Sequence, residues 1–491
     1  MTKNNITVFF SLLIVLLVSH FIPFERSSFA PDDYSLMSLD KLGFKNFLYY
    51  SDRPLLFLWL EIQYFLVGES LFIGLIVLIL SNFLVIISVY FLLLLYFNKD
   101  ETIIITIIFI LLTNKVEIYH NLIMSHINIV TSMYLISLIF LIKSQKNMFS
   151  LLYIISLLLY LLAIFWYEIG FFLPFLILIN KKKQFSKNFK LLVPFLFIIV
   201  IYILFRTTNF FGIINTEPSH NIDLSLLKGI IDLFHHFIGR YFVKNIVYGI
   251  YQFFGNSISI IIILLLTNFL ISFIYINKLL IGKNINISKK YIFFVFLFIF
   301  TVIPMILNGQ AGGRNLIIPS ISFSLLIYYI SIKILNKKFF LSFIFSLFII
   351  SQGHSLSHYV ASNIQSSMFE TINKNSNNIK DVEYILIDTQ SFKNNIKHSF
   401  LNNEYNFLNN YYGAQVWEIW GLSTYVNKIN KNIKIFILSD GYEFKNNKIT
   451  FNYISDQKGK KIYKKNLILD PQNVFFLDFN LVYPNGFNYG K

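Results

Sequence analysis

The sequence predicts an α-helical polytopic membrane protein with about eleven transmembrane helices and a small C-terminal α/β domain. Of its 491 residues, 56% are hydrophobic and only 13% are charged, which leaves too little polar surface for a soluble protein. Apolar runs recur from Thr7 to Ile350, and the composition turns polar from about Asn373 onward. The net charge of +16 is spread over short loops between apolar runs, so it does not form a nucleic-acid-binding face.

The apolar runs define the predicted spans, because a helix needs about 20 apolar residues to cross a bilayer. They are Thr7–Ile22, Leu71–Phe97, Thr102–Leu112, Ile127–Ile142, Met148–Phe165, Gly170–Ile179, Leu191–Phe205, Ile258–Ile276, Tyr291–Leu307, Leu316–Ile334 and Phe339–Ile350. The first run could instead belong to a signal peptide, since Ser28 and Ala30 resemble a cleavage site. Pro31, directly after Ala30, favours a retained helix.

Lysine-rich loops alternate with lysine-poor loops along these spans. The lysine-rich set holds Lys143, Lys146, Lys181–Lys183, Lys187, Lys190, Lys278, Lys283, Lys289, Lys290, Lys333, Lys337 and Lys338. The positive-inside rule makes these loops cytoplasmic, so the N-terminus is predicted inside and the C-terminal domain outside. The same topology brings several charged residues to the external side, namely Asp32, Asp33, Arg53, Glu117, Glu168 and Arg314. We therefore expect a site on that side.

The external loop at residues 206–256 contains an amphipathic pattern. Its polar positions recur every three or four residues, at Ser225, Lys228, Asp232, His235, His236, Arg240 and Lys244, and Leu227, Ile230, Ile231, Phe234, Phe237 and Ile238 fill the opposite face. This spacing predicts a helix that lies in the membrane interface.

The predicted domain organisation has three parts. Residues 1–352 form the transmembrane domain, with a first external loop at 24–68. Residues 353–372 form a juxtamembrane connector, and residues 373–491 form an external α/β domain. Strands are predicted at Val382–Ile387, Ile433–Leu438, Ile449–Ile454 and Val474–Phe479, with helices near Phe400–Tyr411 and Val416–Ile429.

The acidic pair in the first external loop has two interpretations. Asp32 and Asp33 follow Pro31 and could form a solvated helix cap. Alternatively, one of them is a base that takes a proton from an acceptor hydroxyl, or a metal ligand. Arg53 is open in the same way, as a surface charge or as a fork that holds a phosphate.

Two further charged residues lie at predicted external helix ends. Glu168 stands between two apolar runs, where an unpaired carboxylate is unfavourable, so it is paired, solvated in a cavity or functional. Arg314 can hold a lipid phosphate at the headgroup level, or it can be a snorkelling anchor. His354 and His358 are spaced to share a helix face, but no third ligand lies nearby in sequence, so we assign no metal-binding residue.

A series of short motifs runs along about the first 350 residues. They are the acidic pair, Arg53-Pro54-Leu55, Asn82, Glu117, Tyr167-Glu168 with Leu173-Pro174, and Arg314-Asn315-Leu316-Ile317-Ile318-Pro319-Ser320. Their order resembles that of membrane glycosyltransferases of the GT-C superfamily, and within it the protein O-mannosyltransferase-like enzymes that use polyprenyl-phosphate sugars. The C-terminal domain resembles no family in this way.

The resemblance implies a reaction and roles for individual residues. A sugar would pass from a polyprenyl phosphate to a glycan, lipid or protein acceptor on the external face of a bacterial cytoplasmic membrane. Asp32 or Asp33 would be the catalytic carboxylate, and Arg53 or Arg314 would meet the lipid phosphate. Glu117, Tyr167 and Glu168 would complete the substrate-binding site. No cofactor is firmly implied, and a divalent metal stays open.

Two other classes of protein remain. A flippase or transporter for lipid-linked sugars would need polar residues near mid-membrane. The polar residues named above instead gather at predicted external helix ends. A non-catalytic envelope assembly protein would use the external domain and would leave the acidic pair dispensable.

The alternation of lysine-rich loops gives a topology that reporter fusions can test. Fusions at Lys183 and Lys290 should report a cytoplasmic location, and a fusion at Lys491 an external one, because the predicted number of spans is odd. A cytoplasmic signal at Lys491 would remove a span from the prediction and would put Glu168 or Arg314 on the wrong side.

Overall fold

A computed structural model describes most of the chain and divides it into two compact units. It covers residues 3–22, 24, 28, 30, 33, 53–68, 70–144, 148–180, 185–207, 226–254, 289–307, 313–334 and 337–388, and then 410–411, 414–415, 426, 429, 433–445, 447–457 and 460–478. The first unit comprises Met1–Ile22 and Leu42–Ser355, and the second comprises Pro23–Lys41 and Leu356–Lys491.

This division differs from the domain boundaries expected from sequence. The expected transmembrane domain ran to residue 352 and included the whole loop at 24–68, but Pro23–Lys41 groups with the C-terminal unit. Within that unit, the Ser28 hydroxyl donates hydrogen bonds to the Ser362 carbonyl at 2.9 Å and to Gln365 Oε1 at 2.8 Å. Such contacts between distant parts of the chain are not visible in a sequence pattern.

The described helices of the first unit are predominantly apolar. They are α1 (Lys3–Leu16), α2 (Pro54–Val67), α3 (Leu71–Leu94), α4 (Lys99–Leu111), α5 (Glu117–His120), α6 (Ser125–Ser144), α7 (Leu151–Trp166), α8 (Ile177–Asn180), α9 (Phe185–Thr207), α10 (Leu226–Phe237), α11 (Arg240–Phe254), α12 (Lys289–Leu307), α13 (Pro319–Ile334) and α14 (Lys337–Lys374). The part of α14 from Leu356 onward belongs to the second unit. Within the described residues, three segments are long and apolar enough to cross a membrane: Leu71–Leu94, Leu122–Ser144 and Asn188–Phe205.

Two predicted spans differ from the helices. Gly170–Ile179 is not one helix, since 3-10 turns at Glu168–Gly170 and Leu173–Leu176 precede the four-residue α8. Pro174 contributes to this irregularity because it cannot donate a backbone hydrogen bond. The run Phe339–Ile350 is only the first part of α14, so the expected connector at 353–372 is helical as well. The predicted span Ile258–Ile276 lies outside the described residues.

The expected interfacial helix is a pair of helices, α10 and α11, that meet at Gly239. The Gly239 N–H donates to the Phe234 carbonyl at 2.9 Å, a bond that closes the end of α10. The exposed face of α10 is apolar at Leu227, Ile230, Ile231, Phe234 and Ile238. Phe237 points the other way and is buried with Met305 and Leu316. Helix α10 therefore has one apolar face that packs against the protein and a second apolar face that is exposed.

Glycines allow the helix pair to pack closely on its neighbours. A Cβ atom on Gly229 of α10 would lie 2.6 Å from the Ile306 carbonyl oxygen of α12. A Cβ atom on Gly353 of α14 would lie 1.7 Å from the Gly249 carbonyl oxygen of α11. Larger residues are excluded at both crossings, as at the small-residue contacts of membrane helices.

The second unit contains α15 (Ser376–Lys380) and seven described strands. These are β1 (Tyr384–Asp388), β2 (Asn410–Tyr411), β3 (Ala414–Gln415), β4 (Lys434–Lys445), β5 (Lys448–Gln457), β6 (Lys460–Leu469) and β7 (Val474–Asp478). Five of them form a mixed sheet in the order β6-β5-β4-β1-β7, in which β1 lies parallel to β4 and β7. Leu386, Ile449, Phe451, Leu469 and Val474 form its core.

The predicted strands of this unit correspond to β1, β4, β5 and β7, but β6 was not predicted. Its sequence, KKIYKKNLIL, lacks a run of alternating apolar residues, and lysines are common on edge strands because they discourage pairing with another chain. The predicted helix Phe400–Tyr411 is wrong at its end, since Asn410–Tyr411 pairs with Ala414–Gln415 in a two-stranded sheet. The rest of that prediction lies outside the described residues, and Val416–Ile429 is described only at Val426 and Ile429.

The uncovered apolar face of α10 can be tested by cysteine accessibility in proteoliposomes. A cysteine at Lys228 or Asp232 should react with a membrane-impermeant maleimide, because both positions border the wet side of the helix. Cysteines at Ile231 and Phe234 should be protected, because these side chains are 44% and 56% exposed in the protein and would be covered by lipid. Equal labelling of all four positions in intact vesicles would contradict an interfacial location.

Candidate active site

The candidate site forms where helix α7 ends. The Tyr167 N–H still donates to the Ala163 carbonyl at 2.9 Å. The Tyr167 backbone itself is extended, so the α-helix stops after Trp166. Glu168 then begins a 3-10 turn. This change of direction carries Tyr167 and Glu168 off the end of an otherwise apolar helix, where polar groups can be presented without crossing lipid.

Tyr134 of α6 contacts the backbone of this turn at two points. The Tyr134 hydroxyl donates to the Tyr167 carbonyl at 3.0 Å. Gly170 lies directly against the Tyr134 ring, and a Cβ atom there would come within 2.5 Å of it. These two contacts with Tyr134 therefore fix the backbone that carries Tyr167 and Glu168.

Arg53 and Glu168 form a two-point salt bridge, although 115 residues separate them. Arg53 Nε donates to Glu168 Oε2 at 3.1 Å, and Arg53 Nη2 donates to Glu168 Oε1 at 2.6 Å. Arg53 precedes Pro54, the first residue of α2, and a residue before proline is restricted to extended conformations. This restriction helps to direct the arginine away from the helix that follows.

Tyr167 is the residue on which the site converges. Its ring lies under the Arg53 guanidinium, with 4.4 Å from Cζ to the ring centroid, a cation–π contact. Its hydroxyl donates to Asn315 Oδ1 at 3.3 Å, which connects it to the 3-10 turn Gly313–Ile317 that also carries Arg314. The ring of His126 packs edge-on against it at 5.8 Å.

Glu117 and Arg314 lie on two segments that are bonded to each other. Asn114 Nδ2 donates to the Ser320 hydroxyl at 2.9 Å, and that hydroxyl donates to Asn114 Oδ1 at 3.2 Å. Glu117 is exposed, and a Cβ atom on Gly313 would lie 3.8 Å from its carboxyl carbon. Arg314 is exposed too. Glu117 therefore lies close to the Gly313–Ile317 turn, which carries Arg314 and is joined to Tyr167 through Asn315.

The acidic pair is only partly described. Asp32 lies outside the described residues. Asp33 belongs to the second unit and is 3% exposed, so it is not the solvated cap considered from the sequence. Its Oδ2 accepts a hydrogen bond from the Ala30 N–H at 3.2 Å, while its own N–H donates to the Ala30 carbonyl at 2.9 Å. It therefore has a local capping contact, and this contact is made while the carboxylate is buried.

Sequence reasoning missed three residues of the site. Asn315 was noted only as part of a motif, and neither His126 nor Tyr134 was given a role. The signal for Asn315 was its place beside Arg314. The roles of Tyr134 and His126 depend on packing against a segment more than 30 positions away in the chain, as for Tyr134 and Tyr167.

A nearby lysine does not serve as a phosphate ligand. Lys115 is fully buried, and its Nζ donates to the Tyr119 hydroxyl at 2.8 Å and to the carbonyl oxygens of Phe109 and Leu112. Burial lowers the pKa of the Lys115 ammonium well below its usual value. We interpret it as a structural residue that satisfies carbonyl groups at the end of α4.

The described residues contain no group of three His, Asp or Glu side chains arranged to hold a metal ion. His354, considered for metal binding together with His358, uses its Nε2 in a 2.8 Å hydrogen bond with the Asn245 carbonyl. That nitrogen is therefore committed to packing α14 against α11.

The contact between Gly170 and Tyr134 gives a test of the site's backbone. Gly170→Ala should lower the thermal stability of the detergent-purified protein by several degrees, because the new methyl group would overlap the Tyr134 ring. Gly313→Ala is a matched control in the same region, since its Cβ would meet only ordinary contacts of 3.5 Å or more. Equal melting temperatures for the two variants would mean that Gly170 does not lie against Tyr134.

Comparison with known proteins finds distant structural similarity only. No protein-family model and no curated protein sequence matches the chain. One similar solved structure is ArnT from Cupriavidus metallidurans bound to undecaprenyl phosphate, at 13% identity and a TM-score of 0.40, covering 79% of this chain and 83% of that one. Another is the archaeal oligosaccharyltransferase AglB from Archaeoglobus fulgidus in complex with an inhibitory peptide and a dolichol-phosphate. It is 9% identical, with a TM-score of 0.40, and the match covers 94% of this chain and 74% of that one.

Proposed function

We propose that the protein is an integral-membrane glycosyltransferase of the GT-C type that takes its sugar from a polyprenyl phosphate. The observation that carries this proposal is the convergence of Arg53, Tyr167 and Glu168, with the Arg314-Asn315 turn joined to them through Tyr167. These are residues that the resemblance in sequence assigned to one substrate site. They come from segments far apart in the chain, so their contact in the structure is an observation separate from the order of the motifs along the sequence.

The site's charges suit a phosphate leaving group. Arginine presents a planar fork of N–H groups that binds phosphate oxygens at two points. In this structure the Arg53 fork binds Glu168, and its guanidinium lies over the Tyr167 ring. As the bond between the anomeric carbon and the phosphate oxygen breaks, negative charge collects on the phosphate. A fixed guanidinium stabilises that charge more than it stabilises the bound donor, and this difference lowers the barrier.

The other half of the reaction needs a base. The acceptor oxygen forms a bond to the anomeric carbon, its proton passes to a carboxylate, and the polyprenyl phosphate departs with the bonding electrons. We assign this role to Asp33 or Asp32. The support for this assignment is the resemblance in sequence, which implies that the catalytic carboxylate lies in this first external loop.

The wider setting follows the topology predicted from sequence. The active site would lie on the external face of a bacterial cytoplasmic membrane, and the C-terminal α/β domain would help to hold a glycan, lipid or protein acceptor. A divalent metal could assist the departing phosphate, although the described residues form no three-ligand site for one.

The transporter alternative has one observation in its favour, which is that polar side chains also lie inside the helix bundle. Asn82 and Asn128 are buried on α3 and α6. However, Asn82 Nδ2 donates to the Ile118 carbonyl at 3.0 Å, and Asn128 Nδ2 donates to the Ser81 hydroxyl at 3.2 Å. Both amides thus donate to groups on neighbouring segments, a serine hydroxyl and backbone carbonyls, which is typical of helix–helix packing in membranes rather than of a transport path.

Substitution of the acidic pair tests the proposal against the assembly-protein alternative. Asn keeps an oxygen that can accept the Ala30 hydrogen bond but cannot take a proton, so Asp33→Asn or Asp32→Asn should reduce sugar transfer about 10²–10⁴-fold at normal expression. The assay would follow transfer from a polyprenyl-phosphate sugar by mass spectrometry of envelope glycans, compared with cells that lack the protein.

Asp470→Asn is a matched control for these substitutions. Asp470 is exposed, and its Oδ1 also accepts a hydrogen bond from a nearby backbone N–H, that of Gln472 at 3.1 Å. This variant should transfer sugar at the wild-type rate. Normal transfer by both acidic-pair variants would exclude Asp32 and Asp33 as the base and would favour the assembly protein.

A further inference from the structure

The salt bridge occupies the part of Arg53 that a phosphate would use. Both carboxylate oxygens of Glu168 are bonded to the Nε–Nη2 edge of the guanidinium, at 3.1 and 2.6 Å. Carboxylate and phosphate present two oxygens to this fork in the same geometry. A phosphate can therefore bind this edge only after Glu168 has released it.

The pair is exposed enough to exchange its partner. The side chains of Arg53 and Glu168 are 20% and 30% exposed, so water reaches both. Ion pairs near the surface contribute little net stability, because each charge is well hydrated when the pair opens. A fully buried pair would instead be locked by the desolvation of whichever charge was left behind.

The parts of the site around the salt bridge are held independently of it. The Tyr167 carbonyl is fixed by Tyr134, the Tyr167 hydroxyl by Asn315, and the turn that follows by the packing of Gly170 on Tyr134. Rotation of the Glu168 side chain that opens the salt bridge therefore leaves these three contacts in place. The Tyr167 ring can stay beneath the guanidinium and keep it oriented during the exchange.

We propose that Glu168 is an internal stand-in for the lipid phosphate, which binds the Arg53 fork in the empty enzyme and is displaced by the phosphate on binding. This inference rests on the proposed function. Glu168 is then a positioning residue: it keeps the guanidinium aligned between turnovers and competes with every phosphate for the fork. Competition of this kind weakens binding of the lipid phosphate product and so favours its release.

Binding of a C55 polyprenyl phosphate to the full-length protein in nanodiscs tests this exchange without requiring turnover. Trp166 lies next to Tyr167 and packs against Trp59 at 5.8 Å, so quenching of tryptophan fluorescence can report binding. Glu168→Gln should bind the lipid phosphate about tenfold more tightly than wild type, since it removes the competing charge. Arg53→Ala should bind it at least tenfold more weakly. Glu370→Gln, an exposed carboxylate on α14, is the matched control and should match wild type.

The double variant Arg53→Ala/Glu168→Gln makes the test specific to the exchange. If Glu168 acts by competing for Arg53, its removal gives no gain when Arg53 is absent, so the double variant should bind like Arg53→Ala. A gain of the same size with and without Arg53 would mean that Glu168 acts only through general charge repulsion, and this would overturn the proposal.

The remaining outcomes separate this inference from the proposed function. Unchanged or weaker binding by Glu168→Gln, with Arg53→Ala still impaired, would reject the exchange and keep the phosphate site. Unchanged binding by Arg53→Ala would reject the phosphate site itself.

If Glu168→Gln does not fold, Glu168→Asp replaces it, because the shorter side chain keeps the charge but loses reach. Tighter binding by that variant supports the exchange, and no gain rejects it.

Discussion

The turn at the end of α7 is the feature on which the candidate site depends. In an apolar environment a polar side chain is tolerated where a helix ends, because there it can reach water, a headgroup or another polar group. The helix ends because the backbone is extended at Tyr167, and the turn that follows is held by the hydrogen bond from Tyr134 to the Tyr167 carbonyl and by the contact of Gly170 with the Tyr134 ring. Tyr167 and Glu168 are presented there, and Arg53 and Asn315 bond to them.

Close backbone approach at glycine positions gives the first unit its packing around this site. Gly229, Gly249 and Gly353 let α10 and α11 lie against α12 and α14 at distances that no side chain would permit. Such contacts allow hydrogen bonds between neighbouring helices, as between His354 and the Asn245 carbonyl. Asn245 in turn donates from Nδ2 to the Thr113 carbonyl at 3.1 Å, just before the segment that bears Glu117. The amphipathic helix pair is thus bonded to a chain segment that leads into the candidate site.

In the proposed function, the balance of charge at Arg53 would let the site bind an anion and still release it. Arg53 is paired and stacked, so its orientation is fixed before any ligand arrives, which reduces the entropy lost on binding. The positive charge of Arg53 is balanced by the carboxylate of Glu168. Arg314 is exposed on the neighbouring turn, and in the proposed function this second cation would attract the phosphate.

The sequence by itself determined the class of the protein, because the length of an apolar run is set by the thickness of a membrane and can be read from composition alone. It identified α3, α6 and α9 as apolar segments and four of the strands of the second unit, and it predicted that charged residues such as Arg53, Glu168 and Arg314 belong to one site. It missed β6, the helical continuation of α14 to Lys374, and the grouping of Pro23–Lys41 with the C-terminal unit. Only the tertiary structure decided that Glu168 is paired with Arg53, that Tyr167 lies beneath it, and that Tyr134 and Asn315 hold Tyr167 in place. Periodicity records what one segment prefers, whereas these contacts join segments distant in the chain, and they form only when the helices have packed.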